Sequence, residues 1–268
     1  MRRLLTFGVT GLLAVAGLVV ANPGPASAVD LVKSGIGVFR PSEHRFYLDK
    51  NHAGTPQADV SFGQSGDLPL SGTFGVVGWD GIGVYRPSNR TFYLDYGYDG
   101  STNKQVTFGA DGDLPIVGDW EYVPGGSNDN LDSVGVFRPS SGQFFFDYNN
   151  DGVANRSFSY GQAGDIPVAG KFGSPGARSG IGVFRPSEGR WYLDTNLDGV
   201  TEKWIYFGRP GDRPVVGDWD GHGGDELGVF RPSEHRIYLD YDLTGGNAEY
   251  DYSFGTSEDR PIAGYWFN

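Results

Sequence analysis

Five arginines and five aspartates recur in this sequence with fixed neighbours. Arg40, Arg86, Arg138, Arg185 and Arg231 each close a GVFR or GVYR run ahead of Pro-Ser, and Asp67, Asp113, Asp165, Asp212 and Asp259 each stand two residues before a proline. A guanidinium is a rigid fork of donors and a carboxylate a pair of acceptors. Together they can hold the hydroxyls of a sugar, or hold one another as a charge-assisted pair. Each type occurs five times in the same surroundings, so the chemistry on offer is repeated binding or repeated architecture rather than one catalytic event.

Other chemistry is sparse. Asp147-x-Asn149-x-Asp151-Gly152 and Asp194-x-Asn196-x-Asp198-Gly199 match the opening half of a calcium loop, but the bidentate glutamate that closes such a loop is missing from both. Asp95 to Gly100 keeps part of the pattern, and Lys50 to Gly54 and Asp242 to Gly245 keep less. Asn, Asp and Gly are also what a tight hairpin requires, so turns are expected here and no metal is expected to be needed for folding. His44, His52, His222 and His235 have no metal-ligand spacing; His44 and His235 share an SEHR context and read as exposed turn residues. There is no nucleophile elbow, phosphate loop or HExxH. Glycoside hydrolysis needs two unlike acids about one bond, whereas the acids here recur from copy to copy, with Glu121 the main exception. The chain is expected not to be an enzyme and to need no cofactor.

The first 28 residues stand apart. A basic start at Arg2-Arg3, an apolar run and an Ala26-Ser27-Ala28 ending make a secretory leader cleaved near Ala28. Gly, Thr and Asn22 interrupt the run, so no membrane insertion is expected and the protein is placed outside the cell. The formal net charge is −12, and −14 once Arg2 and Arg3 leave with the leader. A chain this acidic repels nucleic acid and anionic lipid. With no cysteine, neither disulfides nor thiolate metal sites are open to it. The 44 Gly and 16 Pro would suggest disorder, but 18 Phe, 15 Tyr and 6 Trp supply apolar surface that a disordered chain lacks.

The elements that must position the arginines and aspartates follow from the repeat. Successive motif arginines lie 46, 52, 47 and 46 residues apart, the period of a propeller blade. Nine residues after each comes Asp49, Asp95, Asp147, Asp194 or Asp240, ending runs such as FYLD, FFFD or WYLD. An aromatic-Gly pair follows at Phe62-Gly63, Phe108-Gly109, Tyr160-Gly161, Phe207-Gly208 and Phe254-Gly255, and then a segment of the GDLPLSGTF type. Each copy therefore holds four short β-runs, enough for one blade. Pro69, Pro115, Pro167, Pro214 and Pro261 open the run nearest the axis. Gly72, Gly118, Gly170, Gly217 and Gly264 mark where backbones crowd there. The run at Gly35 to Ser42 lacks an inner neighbour and Pro261 to Phe267 lacks outer ones, so the last strand is expected to close the ring and leave no open edge. The reading is an all-β, five-bladed propeller of four-stranded antiparallel blades. Blade 1 takes 35–63 with 259–268, blade 2 takes 67–109, blade 3 takes 113–161, blade 4 takes 165–208 and blade 5 takes 212–255.

Through its FG pairs, GDxPxxGDW strands and GVFRPS strands, the mature chain resembles the FG-GAP and VCBS families of propeller repeats. With the leader, it is also similar to five-bladed secreted lectins and to the lectin subunits of actinobacterial umbrella toxin particles. The segment Asp218 to Asp225 resembles the calcium loops of those families, although its counterparts at Trp79-Asp80-Gly81 and 173–180 are eroded. The resemblance implies sites between adjacent blades, built from the link between an outermost strand and the next innermost one. The turn after GVFRPS and that link share a rim, which pairs Arg40 with Asp67, Arg86 with Asp113, Arg138 with Asp165, Arg185 with Asp212 and Arg231 with Asp259. These ten are the candidate glycan-binding residues, with the last site weakened by Glu258. The alternative is that each pair is architecture, as repeated buried ion pairs usually are. The expected function is multivalent binding of cell-surface glycans, in which weak contacts gain by avidity, with a protein partner in a larger secreted complex. The second reading is a scaffold or adhesion propeller that binds protein, and a glycoside hydrolase ranks below both.

Overall fold

The computed structural model describes residues 33–75, 78–120, 131–172 and 178–266. The leader, Glu121 and the last two residues of the chain, 267 and 268, lie outside them. Blade 1 is β1 (Gly35–Arg40), β2 (Arg45–Asp49), β3 (Ala58–Ser61) and, from the far end of the chain, β20 (Arg260–Gly264). Blade 2 is β4 (Leu68–Gly72), β5 (Gly81–Arg86), β6 (Thr91–Asp95) and β7 (Lys104–Thr107); blade 3 is β8 (Leu114–Gly118), β9 (Ser133–Arg138), β10 (Gln143–Asp147) and β11 (Arg156–Ser159). Blade 4 is β12 (Ile166–Gly170), β13 (Gly180–Arg185), β14 (Arg190–Asp194) and β15 (Lys203–Tyr206); blade 5 is β16 (Arg213–Gly217), β17 (Glu226–Arg231), β18 (Arg236–Asp240) and β19 (Tyr250–Ser253). Every sheet is a four-stranded antiparallel meander, and the sheet order β20-β1-β2-β3 closes the five-bladed propeller.

The core lies between blades, not within them. In β1, Ile36 and Val38 enter the cluster shared with blade 5, while Phe39 on the opposite face enters the cluster shared with blade 2. A strand sandwiched in this way is apolar on both faces, which is why GIGVFR does not alternate with polar residues. Cross-strand aromatic pairs fill four of the five interfaces, with ring centroids 4.9 Å apart for Phe39 and Phe46, 4.7 Å for Tyr85 and Phe92, 4.8 Å for Phe137 and Phe144, and 5.1 Å for Phe184 and Trp191, while blade 5 pairs Phe230 with Ile237. Gly37 is required by this packing: a Cβ there would meet Leu48 at 2.8 Å and Ile262 at 2.9 Å.

Two local expectations shift. Pro69 and its counterparts occupy the second position of the inner strand, not the first; that strand is an edge of its sheet, where a missing N–H is tolerated. The outer strands stop one residue before the aromatic-Gly pair, because Phe62 donates its N–H to the carbonyl of His44 in the neighbouring turn, at 3.0 Å. His44 and His235 are exposed in those turns, with φ of 52° and 54°.

A ring of clasps joins neighbouring blades at the axis. The residue ahead of each second strand is Ser34, Asp80, Asp132, Ser179 or Asp225, and the residue after each inner strand is Tyr265, Thr73, Asp119, Lys171 or Asp218. Asp132 donates its N–H to the Thr73 carbonyl at 2.8 Å and accepts the Thr73 N–H on Oδ2 at 2.8 Å. The same reciprocal pair forms between Asp225 and Lys171, Asp80 and Tyr265, Ser179 and Asp119, and Ser34 and Asp218. These clasps explain the inner glycines, since a Cβ on Gly72 would meet Asp132 Oδ2 at 2.5 Å.

Candidate functional site

The ten candidate residues meet on one rim, but in pairs displaced by one blade from those expected. Arg40 binds Asp259, Arg86 binds Asp67, Arg138 binds Asp113, Arg185 binds Asp165 and Arg231 binds Asp212. The reason is register. Phe39 pairs with Arg260 and Tyr85 with Leu68, so the next residues outward, Arg40 with Asp259 and Arg86 with Asp67, stand opposite each other within one blade. All five pairs are two-point, Nε to one oxygen and Nη2 to the other, at 2.9 and 2.9 Å for Arg40, 3.0 and 2.9 Å for Arg86, and 2.8 and 2.8 Å for Arg231.

Each aspartate is buried, and its Oδ2 also accepts an N–H of the link before it, from Gln64, Ala110, Gln162, Arg209 or Thr256. The carboxylates thus face inward, fully used, rather than outward as hydroxyl acceptors. What reaches solvent is part of the arginine in blades 1 to 4, whereas Arg231 in blade 5 is buried. Each guanidinium lies over the ring of Tyr47, Tyr93, Phe145, Tyr192 or Tyr238, 4.6, 4.4, 4.3, 4.5 and 4.3 Å from the centroid. This aromatic partner escaped the sequence reading, although it stands seven residues after each arginine.

The five sites are not equal. In blades 1, 4 and 5 a glutamate bridges the exposed end: Glu43, Glu188 and Glu234 accept from Nη1 of Arg40, Arg185 and Arg231 at 3.1, 3.3 and 3.5 Å, and also from the hydroxyls of Tyr47, Tyr192 and Tyr238. Those hydroxyls, and then the guanidiniums, hold Glu43 and Glu188 below the usual carboxylate range. Blade 2 has Asn89 instead, donating to the Tyr93 hydroxyl at 2.8 Å, and blade 3 has Ser141 beside Phe145, which has no hydroxyl. Between blades 1 and 2 a cleft of about 480 Å³ opens over Arg86 and Tyr93, walled by Glu43, His44, Gly63 and Thr102. The equivalent cleft between blades 4 and 5, over Arg231 and Tyr238, has about 140 Å³ and is narrowed by Arg209 and Asn247.

At the axis, a cavity of about 460 Å³ is lined by the clasp residues. Their acids do not recur evenly: Asp80, Asp132 and Asp225 face Ser34 and Ser179 at the same positions, with Lys171 the one cation among the described lining residues. Burial pushes Asp132 up to about 7 and Asp225 up to about 6. Each already accepts a clasp N–H, so these carboxylates hold blades together.

The calcium-like loops resolve into turns. Asp147 accepts the N–H groups of Asp151 and Gly152, at 3.1 and 2.6 Å, and Asp194 those of Asp198 and Gly199, at 3.1 and 2.7 Å. Three carboxylate trios do converge within 4.8 Å among the described residues: Asp194, Asp198 and Glu202; Asp218, Asp220 and Glu226; Asp240, Asp242 and Glu249. These are the groups that could hold a cation, and the first gains in space the closing glutamate that the linear pattern lacked. All three glutamates also accept backbone N–H groups, from Thr195, Trp219 and Tyr241.

No family model matches the chain, and no curated protein matches it. The FG-GAP and VCBS resemblance therefore stands on the repeated residues alone. Among solved structures, the chain is similar to a protein of unknown function from Bacteroides caccae at 10% identity and a TM-score of 0.47, over 82% of this chain and 73% of that one. It is also similar to BBS1N, solved in complex with ARL6DN, at 11% identity and a TM-score of 0.40, over 79% and 61%. A third likeness is to AztD of Citrobacter koseri, at 10% identity and a TM-score of 0.36, over 85% and 89%.

Proposed function

We propose that this chain is a secreted, multivalent glycan-binding propeller whose sites are the clefts between blades over the stacked arginines. One observation carries the reading. A guanidinium pinned edge-on by a buried aspartate and laid on a half-buried aromatic ring recurs in all five blades on one rim. In this version the arginines contact the sugar and the aspartates fix their orientation, while the tyrosine edges offer apolar surface to the sugar face. The cleft over Arg86 and Tyr93 has more room than the one over Arg231 and Tyr238. Five shallow sites on one rim suit a sparse cell surface, where avidity multiplies weak contacts, and the same rim would serve as the recognition part of a larger secreted toxin complex. No step of catalysis is assigned, because the described axial carboxylates serve the clasps.

A glycan array probed with the purified chain tests this. Binding is expected, and Tyr47→Ala, Tyr93→Ala, Tyr192→Ala and Tyr238→Ala together should abolish retention on a glycan-coated surface while any one alone does little. A quadruple variant that is folded and still retained would sink these sites. A blank array beside a protein captured from the secreting culture would favour the scaffold reading.

A further inference from the structure

At the first position of each inner strand the repeat places Leu68, Leu114, Ile166, Arg213 and Arg260. The three aliphatic residues pack against the inter-blade cores. Blades 5 and 1, which are neighbours across the closure, carry arginine instead. Arg213 reaches toward blade 1, where its Nη1 donates to the Glu258 carbonyl at 3.0 Å and to the carbonyl of Asp259, the residue joined to Arg260. Two cations are thereby set close together.

Nearby carboxylates are already engaged. Asp259 is held by Arg40 and the Thr256 N–H, Asp212 by Arg231 and the Arg209 N–H, and Glu258 accepts from the Ser42 hydroxyl. Arg260 is partly covered, and among the described residues its guanidinium has no acceptor; burial and the adjacent Arg213 both hold its pKa down. Arg213 feels the charge of Asp259, which Arg40 already shares, while Arg260 meets only burial and the second cation; a half-buried pair with so little counter-charge is unfavourable unless an anion completes it.

We propose that Arg213 and Arg260 form an anion-recognising subsite at the junction of blades 5 and 1, taking the carboxylate or sulfate group of an acidic sugar. The sugar rests on the glycan-binding reading; the anion does not. A planar guanidinium can span two oxygens of a carboxylate or of a sulfate through paired hydrogen bonds, which a lysine or a neutral donor cannot match.

Arg260→Leu installs the residue that blades 2 and 3 carry at this position, so the fold should accept it. The first measurement is the rise in Tm on replacing chloride by inorganic sulfate at constant ionic strength. A rise in the wild-type chain that exceeds that in Arg260→Leu is expected, and equal rises overturn the subsite, because general salting effects act on both alike. The second is titration with sialyllactose, sulfated lactose and lactose. Arg260→Leu should weaken the acidic sugars about tenfold, the loss of one charge-assisted contact, and leave lactose unchanged; whichever acidic sugar responds identifies the group. Sulfate discrimination with no sugar bound would keep the subsite and remove the glycan reading. Sugar binding indifferent to charge, with no sulfate discrimination, would do the reverse.

Discussion

Asp113 shows how little freedom the candidate residues have. Its two oxygens take Nε and Nη2 of Arg138, each at 2.9 Å, and the Ala110 N–H at 2.7 Å. Asp113→Asn keeps the shape but turns one acceptor into a donor facing a guanidinium. It should cost about 2 kcal/mol in urea unfolding, below the usual figure for a buried pair because the Arg138 side chain is 30% exposed. A variant as stable as the wild type would show that the pair is loose enough to open for a ligand. Glu226 makes a second case, standing where the other blades have Gly or Ser. Burial pushes its pKa up to about 8. A carboxyl raised in the folded state favours folding while it is protonated, so this contribution is full below about pH 4.5 and is lost as pH rises toward 8. Glu226→Gln should therefore match the wild type near pH 5 and exceed it by about 2 kcal/mol at pH 8, read as a widening Tm gap. All ten arginines and aspartates were legible as a set from the repeat, each standing at a fixed place in its copy. Their partners were misread because each aspartate was matched to the arginine of the blade before it, when the antiparallel register of the inner two strands sets it opposite the arginine of its own blade.

Among elements, the strands were readable and the clasps were not. A run such as GVFRPS repeats by type, so alignment finds it; a clasp alternates Ser34, Asp80, Asp132, Ser179 and Asp225, ahead of strands reached by loops of unequal length. What the positions share is a backbone N–H to be satisfied, which a hydroxyl or a carboxylate oxygen does equally well. That equivalence makes a test. Asp132→Ala strands the Thr73 N–H and should cost about 1–2 kcal/mol, whereas Asp132→Ser, the solution used in blades 1 and 4, should recover most of it. Equal melting of the two variants would mean that the side-chain half of the clasp contributes nothing. The outer strand of blade 4 departs from the repeat in another way: Trp204 and Tyr206 are 58% and 49% exposed and flank Arg190, where blades 1 and 5 pair Arg45 with Asp59 and Arg236 with Asp251. The strand pattern predicts the outward direction of those side chains but gives no reason for the aromatic choice.

For the whole molecule, closure was legible from the two half-repeats. β20 supplies the inner strand of blade 1, with Ile262 and Trp266 in the core shared with blade 2. Deleting 260–268 should leave β1 as a bare apolar edge, so that the truncated chain is recovered as aggregate or oligomer in size-exclusion chromatography. A soluble monomer with an unchanged Tm would contradict a ring held this way. The register of that closure has a mechanical side as well. Gly35, the first residue of β1, stands opposite Gly264, the last of β20. A pull applied to the chain on either side of this pair loads the ladder at one end, and its hydrogen bonds then break one after another instead of sharing the force, as they would if the strands were drawn past each other lengthwise. The closing seam is thus a weak link under tension. If the molecule is tethered through one flank and holds a surface through its rim, the force passes from rim to tether; if it is strung between two neighbours through both flanks, it opens like a zip at blade 1, and the other four blades follow from a freshly exposed edge.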